Sequence, residues 1–275
     1  MRRFALSIAV IVGVGLLCGT ADAQMSGGGV ERLYVLDCGH GVGPDQSRWS
    51  PGVNVGKPLE ISDNCYLLRH AKGYLLWDTG VSDAIAAMPD GMPSTGSAPA
   101  WRRPKTLAGQ LAEIGVAPAD VKYVAVSHTH GDHVGNVNLF PGATVLIQRA
   151  EYDWAFASPK PPFAAEHPVL KLEGDKDVFG DGSVVIVSTP GHTPGHESLL
   201  VHLPMTGWIV LSGDAAHFKD NWDNRRVPAM NVDKDKTLAS MERIAALLAE
   251  HHAELWINHD KAQSERQRHA PQYYE

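Results

Sequence analysis

The segment Ser127-His128-Thr129-His130-Gly131-Asp132-His133 constrains this chain more than any other. Four side chains able to ligate a metal fall within six positions, directly after the apolar run at residues 121–127. A run of that length and composition reads as a buried strand, so the ligands emerge at a strand end. Alternation along the extended part puts His128 and His130 on one side. Gly131 lets the backbone turn, and Asp132 and His133 then face a neighbouring point. This layout suits two adjacent metals better than one. Imidazole with carboxylate suits zinc, iron, cobalt or manganese. The plain alternative is a His-rich surface loop, which four ligands at this spacing argue against.

Further ligands must come from elsewhere in the chain. His192, Asp214 and His259 each follow an apolar stretch, at 183–188, 208–212 and 255–258. Strand ends are where sites assemble in open α/β folds. Pattern alone leaves each of the three undecided. Residues 31–37 read as another strand, and 65–68 with 73–77 as a hairpin. Leu107, Leu111 and Ile114 mark a helix that ends near Gly115. The 152–154 region looks helical, and Asp233 caps a helix carrying Leu238, Met241, Ala245 and Leu248 on one face. Residues 39–60 and 88–104 look like loops, the second holding four prolines. Strands and helices mix without a linker or a repeat. The expectation is one α/β domain with helices covering sheets.

Composition excludes some functions. The chain has 275 residues and a formal charge of −7, with no lysine or arginine run beyond short pairs. That balance does not suit a nucleic-acid binder. At the start, Arg2 and Arg3 precede an uncharged apolar run at 4–18, and Ala21-Asp22-Ala23 fits a cleavage site. This is the pattern of a secretory signal peptide, residues 1–23, cut after Ala23. The run is too short to favour a transmembrane anchor. The mature protein is then expected in the periplasm or the medium, with a flexible stretch at 24–30 before a domain at 31–275. Cys38 and Cys65 remain after cleavage. Export would allow them to pair; otherwise they are two small buried residues in neighbouring strands.

The stretch from His128 to His133, followed in order by His192, Asp214 and His259, resembles the metallo-β-lactamase superfamily from about residue 31 to the end. The resemblance implies an αβ/βα sandwich: two packed mixed sheets flanked by helices, with metals at one edge. It implies that His128, His130 and His192 hold one divalent ion. Asp132, His133 and His259 hold a second, and Asp214 bridges them. Zinc is the default, with iron, cobalt or manganese open. Such ions lower the pKa of water to about 7 and so supply hydroxide at neutral pH. Asp132 is then placed to pass a proton to the leaving group. Asp78, in Trp77-Asp78-Thr79-Gly80, matches a position that buttresses the metal loop, and His196 reads as structural rather than a ligand.

Several stretches are similar to the N-acyl-homoserine lactonases. They include residues 33–39, Cys65-Tyr66-Leu67-Leu68, Gln148-Arg149-Ala150-Glu151-Tyr152, residues 189–199 and Asn258-His259-Asp260. The expected substrate is therefore a small lactone or ester. One departure stands out. Those lactonases carry a tyrosine three residues after the bridging aspartate, and here that position is His217. Histidine can also donate a hydrogen bond and protonate a leaving alkoxide, which makes His217 a candidate catalytic residue. Phe218, Trp222 and the loop at residues 88–101 are candidates for an acyl pocket. In that family the loop also contributes to dimer contacts, so a homodimer fits. The alternatives are an organophosphate triester, β-lactam or thioester hydrolase on the same site, or a non-catalytic metal-binding protein.

Overall fold

Period-two alternation sorts the side chains into layers. The computed structural model describes Met1 and residues 28–275; the expected cleavage point after Ala23 lies outside the described residues. The first sheet holds β1 (Val30–Gly43), β2 (Leu59–His70), β3 (Gly73–Trp77), β4 (Ala100–Arg102), β5 (Val121–Ala125), β6 (Thr144–Gln148) and β7 (Val169–Leu172). Their order is β4-β1-β2-β3-β5-β6-β7. The second holds β8 (Lys176–Asp177), β9 (Val184–Ser188), β10 (Glu197–Leu203), β11 (Gly207–Leu211) and β12 (Glu254–Trp256), in the order β12-β11-β10-β9-β8. Both sheets are mixed. Strands β3, β5, β6 and β7 run parallel, as do β11 and β12, and the other pairs are antiparallel.

Leu33, Val35, Tyr66, Leu68, Leu75 and Trp77 face the second sheet and meet Ile186, Leu199, Val201, Ile209 and Leu211. Their neighbours Tyr34, Leu36, Leu67 and Leu76 take the other face, under Leu107 and Leu111 of helix α1 (Leu107–Glu113). Val187, Leu200 and Val210 turn the second sheet's outer face to Ile244. Burying each such side chain contributes about 1.5–3 kcal/mol. The layers are those of an αβ/βα sandwich. The remaining helices are α2 (Gly131–Val134), α3 (Arg149–Phe156), α4 (Lys219–Asn224), α5 (Lys234–His251) and α6 (Lys261–Ser264). The Asp233 side chain accepts from Lys236 N at the start of α5, as a cap should. Among the described residues, no helix is long and apolar enough to cross a membrane.

Some stretches depart from the sequence reading. Val30, expected in the flexible lead-in, opens β1 and is buried. Strand β1 runs on to Gly43 and β2 starts at Leu59, because the two pair antiparallel through a register shift between Asp37 and Gly39. The loop at 88–104 contains β4, where Trp101 pairs with Gly41. Cys38 and Cys65 are joined by a disulfide that ties β1 to β2, with Cα atoms 5.8 Å apart.

Candidate metal centre

The ligand candidates collect at one edge of the sandwich. His128 and His130 follow β5, and Asp132 and His133 sit in α2. His192 lies between β9 and β10, Asp214 follows β11, and His259 follows β12. Separations of up to 131 residues in the chain therefore close to hydrogen-bond range. His130 Nδ1 lies 2.9 Å from His128 Nε2 and 3.1 Å from His192 Nε2. Asp214 faces both groups. Its Oδ2 is 3.7 Å from His128 Nε2 and 3.3 Å from His192 Nε2. Its Oδ1 is 3.5 Å from His133 Nε2 and 3.1 Å from His259 Nε2. His259 Nε2 is also 3.9 Å from Asp132 Oδ2. The structure thus brings together all seven expected ligands.

The outward nitrogens of these rings are held by the fold. Asp78 Oδ2 accepts from His133 Nδ1 at 2.9 Å, and Ser127 N and Oγ also donate to this carboxylate. Asp78 adopts φ +58°, a left-handed conformation that Asp tolerates at a strand end. His192 Nδ1 meets Asn231 Oδ1 at 2.9 Å, and His259 Nδ1 meets the Ser62 carbonyl at 2.7 Å. Such partners fix tautomer and ring orientation, leaving the inner nitrogen as an acceptor. His196 is not a ligand. Its Nε2 accepts from Asp214 N and its Nδ1 donates to the Thr189 carbonyl. Burial lowers its pKa to about 4, so it stays a neutral acceptor. Gly213 (φ +52°) brings the backbone against it; a Cβ there would lie 2.6 Å from His196 Nε2.

The donor chemistry fits divalent cations. Burial holds His128 and His192 well below the usual histidine value, so both present lone pairs. Burial would raise the Asp214 carboxyl, but the imidazoles of His217, His259 and His133 hold it well below the usual carboxylate range. For His259, burial is outweighed by Asp214 and Asp132, which raise it to about 9. His133 Nε2 and Asp214 Oδ1 are buried without a hydrogen-bond partner. Buried polar atoms are rarely left so. Ligand atoms of His128, His130, His192 and Asp214 lie within 4.8 Å of one another, as do those of Asp132, His133 and His259.

The profile of the metallo-beta-lactamase superfamily matches residues 60–250. The chain belongs to the metallo-beta-lactamase superfamily. Within it, the chain is 31% identical over 271 residues to the N-acyl homoserine lactonase AttM of Azorhizobium caulinodans, covering 89% of this chain and 98% of that one. It is 29% identical to the N-acyl homoserine lactonase AiiA of Bacillus thuringiensis subsp. kurstaki, covering 89% and 99%. A solved N-acyl homoserine lactone hydrolase, with the product N-hexanoyl-L-homoserine at its catalytic metal centre, matches with a TM-score of 0.79 at 28% identity. That match covers 90% of this chain and 100% of the other.

This superfamily member opens its centre into a cavity of about 290 Å³, lined by His130, Asp132, His192, Asp214, His217 and His259. Arg48, Trp49, Ile61, Met230 and residues 97–99 complete the wall. His217 Nε2 lies 3.0 Å from Asp214 Oδ2, and its Nδ1 is buried without a partner. Of the aromatics proposed for an acyl pocket, Phe218 packs with Trp49, Ile61 and Trp101, while Trp222 packs against the outer face of the second sheet. Sequence reasoning missed the Glu151 staple. Its Oε1 accepts from Thr129 N and its Oε2 from Gly195 N, joining the two histidine loops. Its one signal was its place in the 148–152 stretch. Asn231 gave none, since its partner His192 is 39 residues away.

Proposed function

We propose that this chain is an exported dinuclear-metal hydrolase that opens the lactone ring of N-acyl homoserine lactones. The observation that carries the reading is Asp214, with one carboxylate oxygen toward His128 and His192 and the other toward His133 and His259. His128, His130 and His192 would hold one divalent ion; Asp132, His133 and His259 the other; Asp214 would serve both. Bound there, the ions supply Lewis acidity and activate water at neutral pH, and zinc suits the donor set. The chain's own residues do the rest. Asp132 is the least buried of the acids in the cluster and faces the cavity, where it can carry a proton to the leaving alkoxide. His217 lines the same wall and can donate to the lactone. The similarity to AttM and AiiA over nearly their full lengths supports the substrate class. The Cys38–Cys65 bond supports an oxidising compartment, as the signal-like start does.

The test is a hydrolysis panel run alongside metal quantification. It holds acyl-homoserine lactones, simple lactones, a paraoxon-type triester, a cephalosporin and a glutathione thioester. Two metals per chain and the highest kcat/KM on acyl-homoserine lactones are expected. If those lactones are the poorest substrates, the reading is lost.

A further inference from the structure

Arg48 stands apart from the rest of the cavity wall. Its side chain forms no salt bridge and no hydrogen bond among the described residues, and its Nε is buried without a partner. The side chain is half-buried with its Nε enclosed, and an enclosed guanidinium donor is stabilised by an acceptor that reaches it from the cavity. No carboxylate of the wall is free to serve. The acids lining the cavity are Asp132 and Asp214, and both belong to the metal cluster. Nor is Arg48 loosely held. Its carbonyl accepts from Ala229 N, and the buried Asn221 side chain donates to the Trp49 carbonyl and to Ser50 Oγ just beyond it. The ring of Trp49 fills the space over Gly43, where a Cβ would lie 2.6 Å from it. The backbone is thus fixed on both sides of a cation that faces the cavity.

We propose that Arg48 is a specificity residue, and that this enzyme favours substrates bearing a carboxylate group away from the bond it breaks. A planar guanidinium pairs with a carboxylate through two parallel hydrogen bonds, and it does so best where water is partly excluded. The remainder of the outer wall is Trp49, Ile61, Met230, Ser97, Ala98 and Pro99, which offers apolar contact and no second charge. The substrate class is then a lactone whose acyl arm is apolar along its length and acidic at its end. This refines the proposed lactonase and rests on the same cavity.

The test compares two homoserine lactones with acyl chains of equal length, one ending in a carboxylate and the other in its methyl ester. Wild type should show the higher kcat/KM on the acid, and Arg48→Met should lose roughly tenfold to a hundredfold on the acid and clearly less on the ester. Arg48→Lys should fall between them. In wild type, the preference for the acid should shrink as salt is raised. Equal rates on both substrates in wild type, or an equal loss on both in Arg48→Met, would overturn the assignment. Calorimetric titration with adipate needs no turnover. Weaker adipate binding by Arg48→Met than by wild type supports the assignment even if no lactone is hydrolysed. Equal binding removes it.

Discussion

At the scale of single residues, His217 decides how far this site resembles its relatives in chemistry. Its Nε2 lies 3.0 Å from Asp214 Oδ2, while its ring stacks 5.4 Å from that of His259. A group so placed can touch the substrate or can hold Asp214, and the two roles separate experimentally. If His217 donates to the lactone, His217→Ala should lower kcat by about 100–1000-fold with metal content intact. Parallel loss of metal and turnover would make it a support for Asp214. Unchanged kinetics would leave it without a role. The seven ligands were legible from sequence because each follows a strand and because all seven carry imidazole or carboxylate in a spaced order. Their supports were not. Glu151, Asn231 and the Ser62 carbonyl act across 22 to 197 residues, and a hydrogen bond of that span leaves no local pattern.

At the scale of elements, the strands form from alternation, but their edges form from pairing. Residues 39–43 carry glycines that read as loop, yet they continue β1 because residues 59–63 of β2 lie opposite. The start of β10 carries a cost of a different kind. Glu197 donates its backbone N–H to the Ser127 carbonyl and accepts from Gln148 Nε2, but its Oε1 is buried without a partner. Burial pushes its carboxyl well above the usual 4.5. Above that pH the unfolded chain releases this proton while the folded chain retains it. The unfolded state then binds fewer protons, so stability falls as pH rises, until the folded carboxyl itself ionises. Glu197→Gln cannot ionise and should escape this loss. Thermal melts at matched metal content should coincide near pH 4.5, and the variant should melt higher at pH 8. Each kcal/mol recovered should raise Tm by roughly 2–4 °C. A lower Tm for the variant across the whole range would mean that the buried carboxylate is paired in a way this geometry lacks.

At the scale of the whole molecule, the metal centre is also a joint between the sheets. His128, His130, Asp132 and His133 hang from the end of β5 in the first sheet, while His192, Asp214 and His259 hang from β9, β11 and β12 in the second. Below them the sheets meet through an apolar layer that includes Trp77, Leu146, Leu199 and Trp256. Above it, five buried imidazoles crowd one carboxylate, and His133 Nε2 and Asp214 Oδ1 have no hydrogen-bond partner within the protein. Ions that bind only the folded arrangement stabilise it by mass action, by about 4 kcal/mol at a thousandfold excess over Kd. Chelation should therefore lower Tm by roughly 8–16 °C, given the 2–4 °C per kcal/mol expected at this size. Restoring zinc should reverse the shift. The loss should appear as earlier hydrogen exchange at the sheet edge that carries residues 128–133, 189–196 and 213–217, while the disulfide-tied β1–β2 pair keeps its protection. Uniform loss of protection across both sheets would mean that the ions act through global stability alone, and an unchanged Tm would mean that the joint holds without them.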